Sequence, residues 1–196
     1  MVIRRALLRQ QLSAAWFKTI RGPYADQLVN SERGLQVHFC IKLLQIFEKE
    51  GVTRRLFVEP TIEFEDGVRP PRAPDLLICN TKNIVGVVEF KYSPRARPKR
   101  LTMEKDLDTL DRVGNAGSEL KVSNERFRGE GDVQRYTIAT DAVLCWAGVH
   151  ASPVTTIPMD GSNELGKRLL CLEALSVQGV QASVLQDGKL QGGEHC

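Results

Sequence analysis

The sequence predicts an α/β fold, a central mixed sheet flanked by helices. Two segments with helical spacing open the chain, at 4–20 and 31–50. Three β-rich runs follow, at 55–65, 75–79 and 84–91. Beyond them a helix at 102–113, a strand at 142–147, a helix at 162–177 and a short hairpin complete the order α–α–β–β–β–α–β–α–β–β. With 196 residues, 42% hydrophobic and 26% charged, the chain has the length and composition of a single domain, 1–196. Disordered, collagen-like and disulfide-stapled classes are excluded, and no apolar run approaches the ~20 residues of a membrane-spanning helix.

In the first helix the apolar positions are Ala6, Leu7, Leu8, Leu12, Ala15, Trp16 and Ile20, and Gly22-Pro23 ends it. Ser31 is placed to cap the second. Its apolar stripe reads Leu35, Val37, Phe39, Ile41, Leu44, Ile46 and Phe47, and Gly51 fits its C-terminal end. Leu56, Val58, Ile62 and Phe64 alternate with polar residues, and Pro60 interrupts them, which suits a strand at a sheet edge. Residues 66–74 form a loop. DLLIC (75–79) and IVGVVEFK (84–91) are joined by the polar stretch 80–83 and read as a hairpin. A basic loop spans 93–100. The helix at 102–113 has a narrow apolar side of Met103, Leu107, Leu110 and Val113, and an acidic face expected to be solvated. Residues 114–132 are rich in Gly, Ser and Asn and read as a loop, and the last hairpin turns at Asp187-Gly188.

The net charge is +3, but its distribution is uneven. Residues 1–25 hold Arg4, Arg5, Arg9, Lys18 and Arg21 without an acid, and 91–100 hold Lys91, Arg95, Arg97, Lys99 and Arg100 without an acid. This pattern suits an anionic partner, or two solvated basic surfaces. Four of the five cysteines (Cys40, Cys79, Cys145, Cys171) lie inside apolar runs, and no CxxC spacing occurs. They read as buried thiols in a reducing, cytoplasmic setting. The N-terminus lacks the apolar core of a secretory signal.

The chemistry concentrates in the hairpin. Residues i and i+2 of a strand share a face, so Glu89 and Lys91 point the same way and Phe90 the other. A three-residue turn at 81–83 pairs Asn80 with Ile84 and sets Asp75 opposite Glu89. A four-residue turn shifts the register by one and makes the approach diagonal. Facing side chains have Cβ atoms roughly 4.5–5.5 Å apart. Two carboxylates that close repel unless neutralised, and a divalent cation with hard oxygen ligands, Mg²⁺ or Mn²⁺, is the usual solution. Such a cation activates water and polarises phosphoryl oxygens, an ammonium beside it steadies negative charge, and the basic loop is placed to hold phosphates.

Pro74-Asp75, thirteen intervening residues, then Glu89-Phe90-Lys91 resembles the signature of the PD-(D/E)XK nuclease superfamily. The resemblance covers 31–148 and implies a restriction-endonuclease-like α-β-β-β-α-β core, leaving 1–30 as an N-terminal helical extension and 150–196 as a C-terminal extension of helix and hairpin. It implies that Asp75, Glu89 and the Phe90 carbonyl bind Mg²⁺ (or Mn²⁺), that Lys91 positions the attacking water, and that Glu32, on the first core helix, contributes directly or through water. Arg95, Arg97, Lys99 and Arg100 would contact nucleic acid, most simply DNA, and Tyr92 would stack on a base or sugar or else cover the sheet edge. No membrane partner is expected. A homodimer is an arrangement common in such nucleases.

The helix after Lys91 lacks the Gln-x-x-x-Tyr pattern of exonuclease-like members. Two other functions are compatible with the sequence: a non-catalytic nucleic-acid-binding module on the same fold, and a protein-interaction subunit of a defence or secretion system, using the Leu-rich segment 162–177. His38, His150 and Trp146 read as packed residues, and Glu63 and Glu65 as solvent-facing.

Overall fold

Helix formation at the N-terminus follows the apolar spacing, and the computed structural model describes residues 5–64, 69–81, 83–96, 99–117, 119–123, 134–151, 168–176, 183–186 and 189–190. Helix α1 (Ala6–Thr19) buries Leu8, Leu12, Ala15 and Trp16, while Leu7 stays half exposed. It does not stop at Gly22-Pro23. The chain widens into a π turn, Ile20–Tyr24, that takes Pro23 inside it and in which the Ala25 N–H donates to the Ile20 carbonyl. Helix α2 (Glu32–Lys49) begins as expected: the Ser31 hydroxyl accepts from the Gly34 N–H at 3.1 Å. It ends at Gly51, whose φ of +64° suits a residue without Cβ. The buried stripe is Leu35, Gln36, Phe39, Leu43, Ile46 and Phe47. Val37, Ile41 and Leu44, expected inside, face outward, because steps of three and four from Leu35 lead to Phe39 and Leu43 instead.

The predicted strand 55–65 is two strands. β1 (Arg55–Val58) pairs antiparallel with β3 (Leu76–Cys79), whereas β2 (Thr61–Phe64) leaves for β5 (Glu119–Ser123). The break falls at Glu59, with φ +48°, and Pro60, which has no N–H for a ladder. β4 (Asn83–Ser93) is the spine of the sheet. It runs antiparallel to β3 and parallel to β6 (Gln134–His150), which is parallel to β7 (Leu169–Leu175). β8 (Ser183–Gln186) and β9 (Lys189–Leu190) extend the sheet antiparallel. They frame the expected final hairpin, whose turn residues Asp187 and Gly188 lie outside the described residues. The order across the sheet is β1-β3-β4-β6-β7-β8-β9, with β5 bridging β2 to the start of β6.

Three expectations are corrected here. Leu169–Leu175 is a strand where a helix over 162–177 was predicted. A short run apolar on both sides fits a buried helix and a central parallel strand equally well, and seven residues favour the strand. Glu119–Ser123 forms β5 inside the expected loop: Leu120 and Val122 point in while Glu119 and Lys121 alternate with them. The strand expected at 142–147 reaches from 134 to 150 because its two halves pair with different neighbours.

Side-chain alternation sorts the core into two layers. Leu76, Ile78, Val85, Val88, Phe90, Cys145, Ala147 and Leu172 face α1 and α2. Leu77, Cys79, Val87, Leu144, Trp146 and Cys171 face α3 (Arg100–Gly114), β2 and β5. Helix α1 belongs to the first layer with α2 and is part of the same core. The described cysteines carry free thiols, Cys79, Cys145 and Cys171 buried and Cys40 partly so. No described helix is long and apolar enough to cross a membrane.

In the second layer the Trp146 ring lies over Gly148, where an added Cβ would stand 2.4 Å from Trp146 Cη2. Gly148→Ala should therefore cost about 1–3 kcal/mol by overpacking. A thermal melt checks it, and an unchanged midpoint would mean that the ring has room to move.

Candidate active site

The site arises because β3 is shorter than β4. The ladder between them carries Leu76 opposite Val88, Leu77 opposite Val87 and Ile78 opposite Gly86. Nearer the turn it shifts: Cys79 faces Ile84, and the Asn80 N–H donates to the Asn83 carbonyl at 2.9 Å. The turn thus spans four residues, and a bulge at Val85 restores the register that the three-residue turn would have given. Asp75, one residue before β3, consequently falls level with Glu89.

Past Val88, β4 continues to Ser93 with β6 on one side and no β3 on the other. Its N–H groups there are taken by carboxylates. The Phe90 N–H donates to Asp75 Oδ2 at 2.6 Å, and the Tyr92 N–H donates to Glu32 Oε2 at 3.0 Å. A residue's N–H and C=O leave an extended strand on the same side, so the Phe90 carbonyl opens toward Asp75. Asp75 is itself fixed through its backbone: its carbonyl accepts from the Glu59 N–H at 3.0 Å and from Gln36 Nε2 at 2.6 Å. Gln36 is one helical turn after Glu32, so α2 delivers both contacts from one face.

Glu89 and Lys91 project with Val87 toward α3. Lys91 Nζ stands 3.4 Å from Glu32 Oε2 and 4.0 Å from Asp106 Oδ2. Asp106 is 8% exposed, and its Oδ2 also accepts from Trp146 Nε1 at 3.4 Å. Farther along the same face, His150 Nε2 lies 3.5 Å from Glu173 Oε2, both residues buried, and the Trp146 and His150 rings are 6.1 Å apart.

Four carboxyl groups therefore gather near one ammonium, Glu89 and Asp106 buried, Asp75 and Glu32 partly so. Burial pushes the Glu89 carboxyl up to about 10, with Asp75 and then Asp106 adding to the rise and Lys91 opposing it. Burial likewise raises Asp75, although the Phe90 N–H works against it. Asp106 is pushed up to about 6 by burial, against the pull of Lys91. In the metal-free protein Glu89 is protonated at neutral pH and donates to the Asp75 carboxylate.

Among the described residues no three His, Cys, Asp or Glu side chains form a ready metal cage. The donor set suits a cation held more openly. Glu89 is 7% exposed, and its Oε1 accepts no hydrogen bond. Asp75 and the Phe90 carbonyl flank it. Asp75, Glu89 and the Phe90 carbonyl are hard oxygen donors of the kind that could hold Mg²⁺.

The sequence-predicted residues divide as follows. Asp75, Glu89, Phe90, Lys91 and Glu32 come together. Tyr92 does not present a free ring: its hydroxyl donates to the Val29 carbonyl at 2.9 Å and its edge meets Tyr24, so it covers the sheet edge. Arg95 and Lys99 are exposed beyond the end of β4, while Arg97 and the Arg100 side chain lie outside the described residues. Glu63 is solvent-facing as expected, and Glu65 is outside the described residues. The acidic face of α3 is only partly solvated, since Asp106 is buried and Asp108 is bound by Arg72 at 3.0 Å and Arg112 at 2.7 Å. Sequence reasoning missed Asp106 and Gln36. The signal for Asp106 was its place at three- and four-residue steps in Met103–Asp106–Leu110–Val113. For Gln36 it was the four-residue step from Glu32.

Comparison with protein-family models, curated proteins and solved structures finds no match in any of the three.

Unfolding returns Glu89 to its ordinary value near 4.5, so between there and about 10 the folded state holds the extra proton. Metal-free stability should fall as pH rises through this window, by up to roughly 1.4 kcal/mol per pH unit from this group. Thermal midpoints in EDTA from pH 5 to 9 test this, with Glu89→Gln expected to flatten the slope. An equal slope in the variant would assign the decline to other groups.

Proposed function

We propose that this chain is a nuclease of restriction-endonuclease-like fold that hydrolyses DNA phosphodiester bonds with Mg²⁺ or Mn²⁺. The observation that carries the reading is the convergence of Asp75, Glu89 and the Phe90 carbonyl beside the Lys91 ammonium, at the point where β4 outruns β3. The order α2, β1, β3, β4, α3, β6, with β2 and β5 inserted as a side pair, is compatible with the fold. The exposed Arg95 and Lys99 support a polyanionic substrate.

When bound, the cation would neutralise the two carboxylates and polarise a phosphoryl oxygen. The rest falls to the chain. Asp75 and Glu89 hold the cation site, and Gln36 and the Glu59 N–H keep the Asp75 backbone in place. Lys91 orients the attacking water and faces the negative charge that grows on the phosphate as the new P–O bond forms and the ester P–O bond breaks. Glu32 holds Lys91 and the Tyr92 N–H at the rim. One observation favours the non-catalytic module instead: Asp75 and Glu32 already serve as backbone acceptors, a use that needs no chemistry.

Incubation with supercoiled plasmid and Mg²⁺ or Mn²⁺ tests the reading. The expected result is nicking abolished by EDTA and reduced on the order of 10²–10³-fold in Lys91→Ala. Calorimetric Mn²⁺ titration should show binding that Glu89→Gln weakens and that releases protons at neutral pH. Binding without cutting would favour the module, and neither would remove the metal site.

A further inference from the structure

We propose that Asp106 is a positioning residue of this site, holding the Lys91 ammonium from the α3 side against Glu32 on the α2 side. This rests on the nuclease reading for its consequence in catalysis but not for the contact itself.

A carboxylate at position 106 is costly where it stands. Helix α3 presents Met103, Leu110 and Val113 to the second core layer, all buried, and Asp106 occupies the step between them. Burying a charge there is tolerated only with partners. Both partners come from the strands that build the site: Lys91 on β4 at 4.0 Å and the Trp146 indole N–H on β6 at 3.4 Å. Trp146 in turn is fixed by the space over Gly148. The helix therefore carries a charged contact rather than a further apolar one, and the contact ends on the one ammonium of the site.

The geometry explains why one partner is insufficient. The Lys91 side chain is 18% exposed, whereas Glu32 is 43% exposed at the rim. A long side chain tied only to the rim keeps much of its rotamer freedom. Asp106, with 10% of its side chain exposed, supplies a rigid inner counter-charge and fixes the ammonium along a line between α2 and α3. The surrounding carboxyls also constrain the choice of residue. Asp75 and Glu32 both disfavour a charge on Asp106, and Lys91 is the group that opposes them.

Asp106→Asn keeps the volume and an acceptor for the Trp146 N–H but removes the charge, and Asp106→Leu extends the apolar stripe. Three readouts are taken on each: plasmid cleavage with Mn²⁺, the thermal midpoint, and the rate at which an amine-reactive acetylating reagent modifies Lys91, followed by mass spectrometry. The expected result is a loss of about 10- to 100-fold in kcat with KM for DNA little changed. Faster labelling of Lys91, in at least one variant that melts as the wild type does, should accompany it. A purely structural Asp106 would move the melting point and leave kcat and Lys91 labelling alone, and that outcome overturns the proposal. If the wild-type protein cuts nothing, the nuclease reading fails and the labelling arm still decides: faster modification upholds the contact, and an unchanged rate overturns it.

Discussion

The site depends on an unequal pair of strands. β4 needs acceptors for its N–H groups after β3 has ended, and the nearest are carboxylates on the residue preceding β3 and on the first turn of α2. Satisfying the backbone in this way brings acidic side chains to a strand that already carries Glu89 and Lys91. Buried polar groups of the main chain are seldom left unpaired, so Asp75 and Glu32 are held to their positions by a requirement of the sheet as well as by any chemistry. A hairpin of equal arms would have covered the edge with a ladder and left these carboxylates no backbone to bind.

The cost of the arrangement is electrostatic. Glu32, Asp75, Glu89 and Asp106 surround a single ammonium, and burial raises the proton affinity of three of them. The fold stabilises this group from three directions: α2 through Gln36 and Glu32, α3 through Asp106, and β6 through Trp146. α2 packs into one apolar layer and α3 into the other, while β6 belongs to both and meets α3 through Trp146 and Asp106. Rigid support of charged groups by packed elements is what pre-organised sites require.

Much of this was legible in the sequence, and the parts that were not share a physical origin. The hairpin, its polar face and the cap at Ser31 follow from period-two alternation and local side-chain chemistry, which act over a few residues. Asp75 opposite Glu89 was legible only as one of two registers, because the bulge at Val85 leaves no compositional mark. Leu169–Leu175 was misread because burial on both faces erases the period that separates a strand from a helix. Asp106 was passed over because its helix carries acids all along, although its three- and four-residue steps from Met103 and to Leu110 set it on the apolar side. β5 was hidden by its polar neighbours.

The bulge at Val85 has a further consequence for how the chain can vary. Strand faces alternate with every residue, so one residue added or lost between Ile78 and Val88 would exchange the two sides of the remainder of β4. Glu89 and Lys91 would then turn into the apolar layer beneath α1 and α2, and Val88 and Phe90 into the acidic one. Length changes in this hairpin are therefore tolerable only in twos or when matched by a compensating bulge. Beyond Ser93, insertions before α3 leave the register of the acidic face untouched. The hairpin can thus change length only in ways that keep its faces, whereas the loop after it can change by any number of residues.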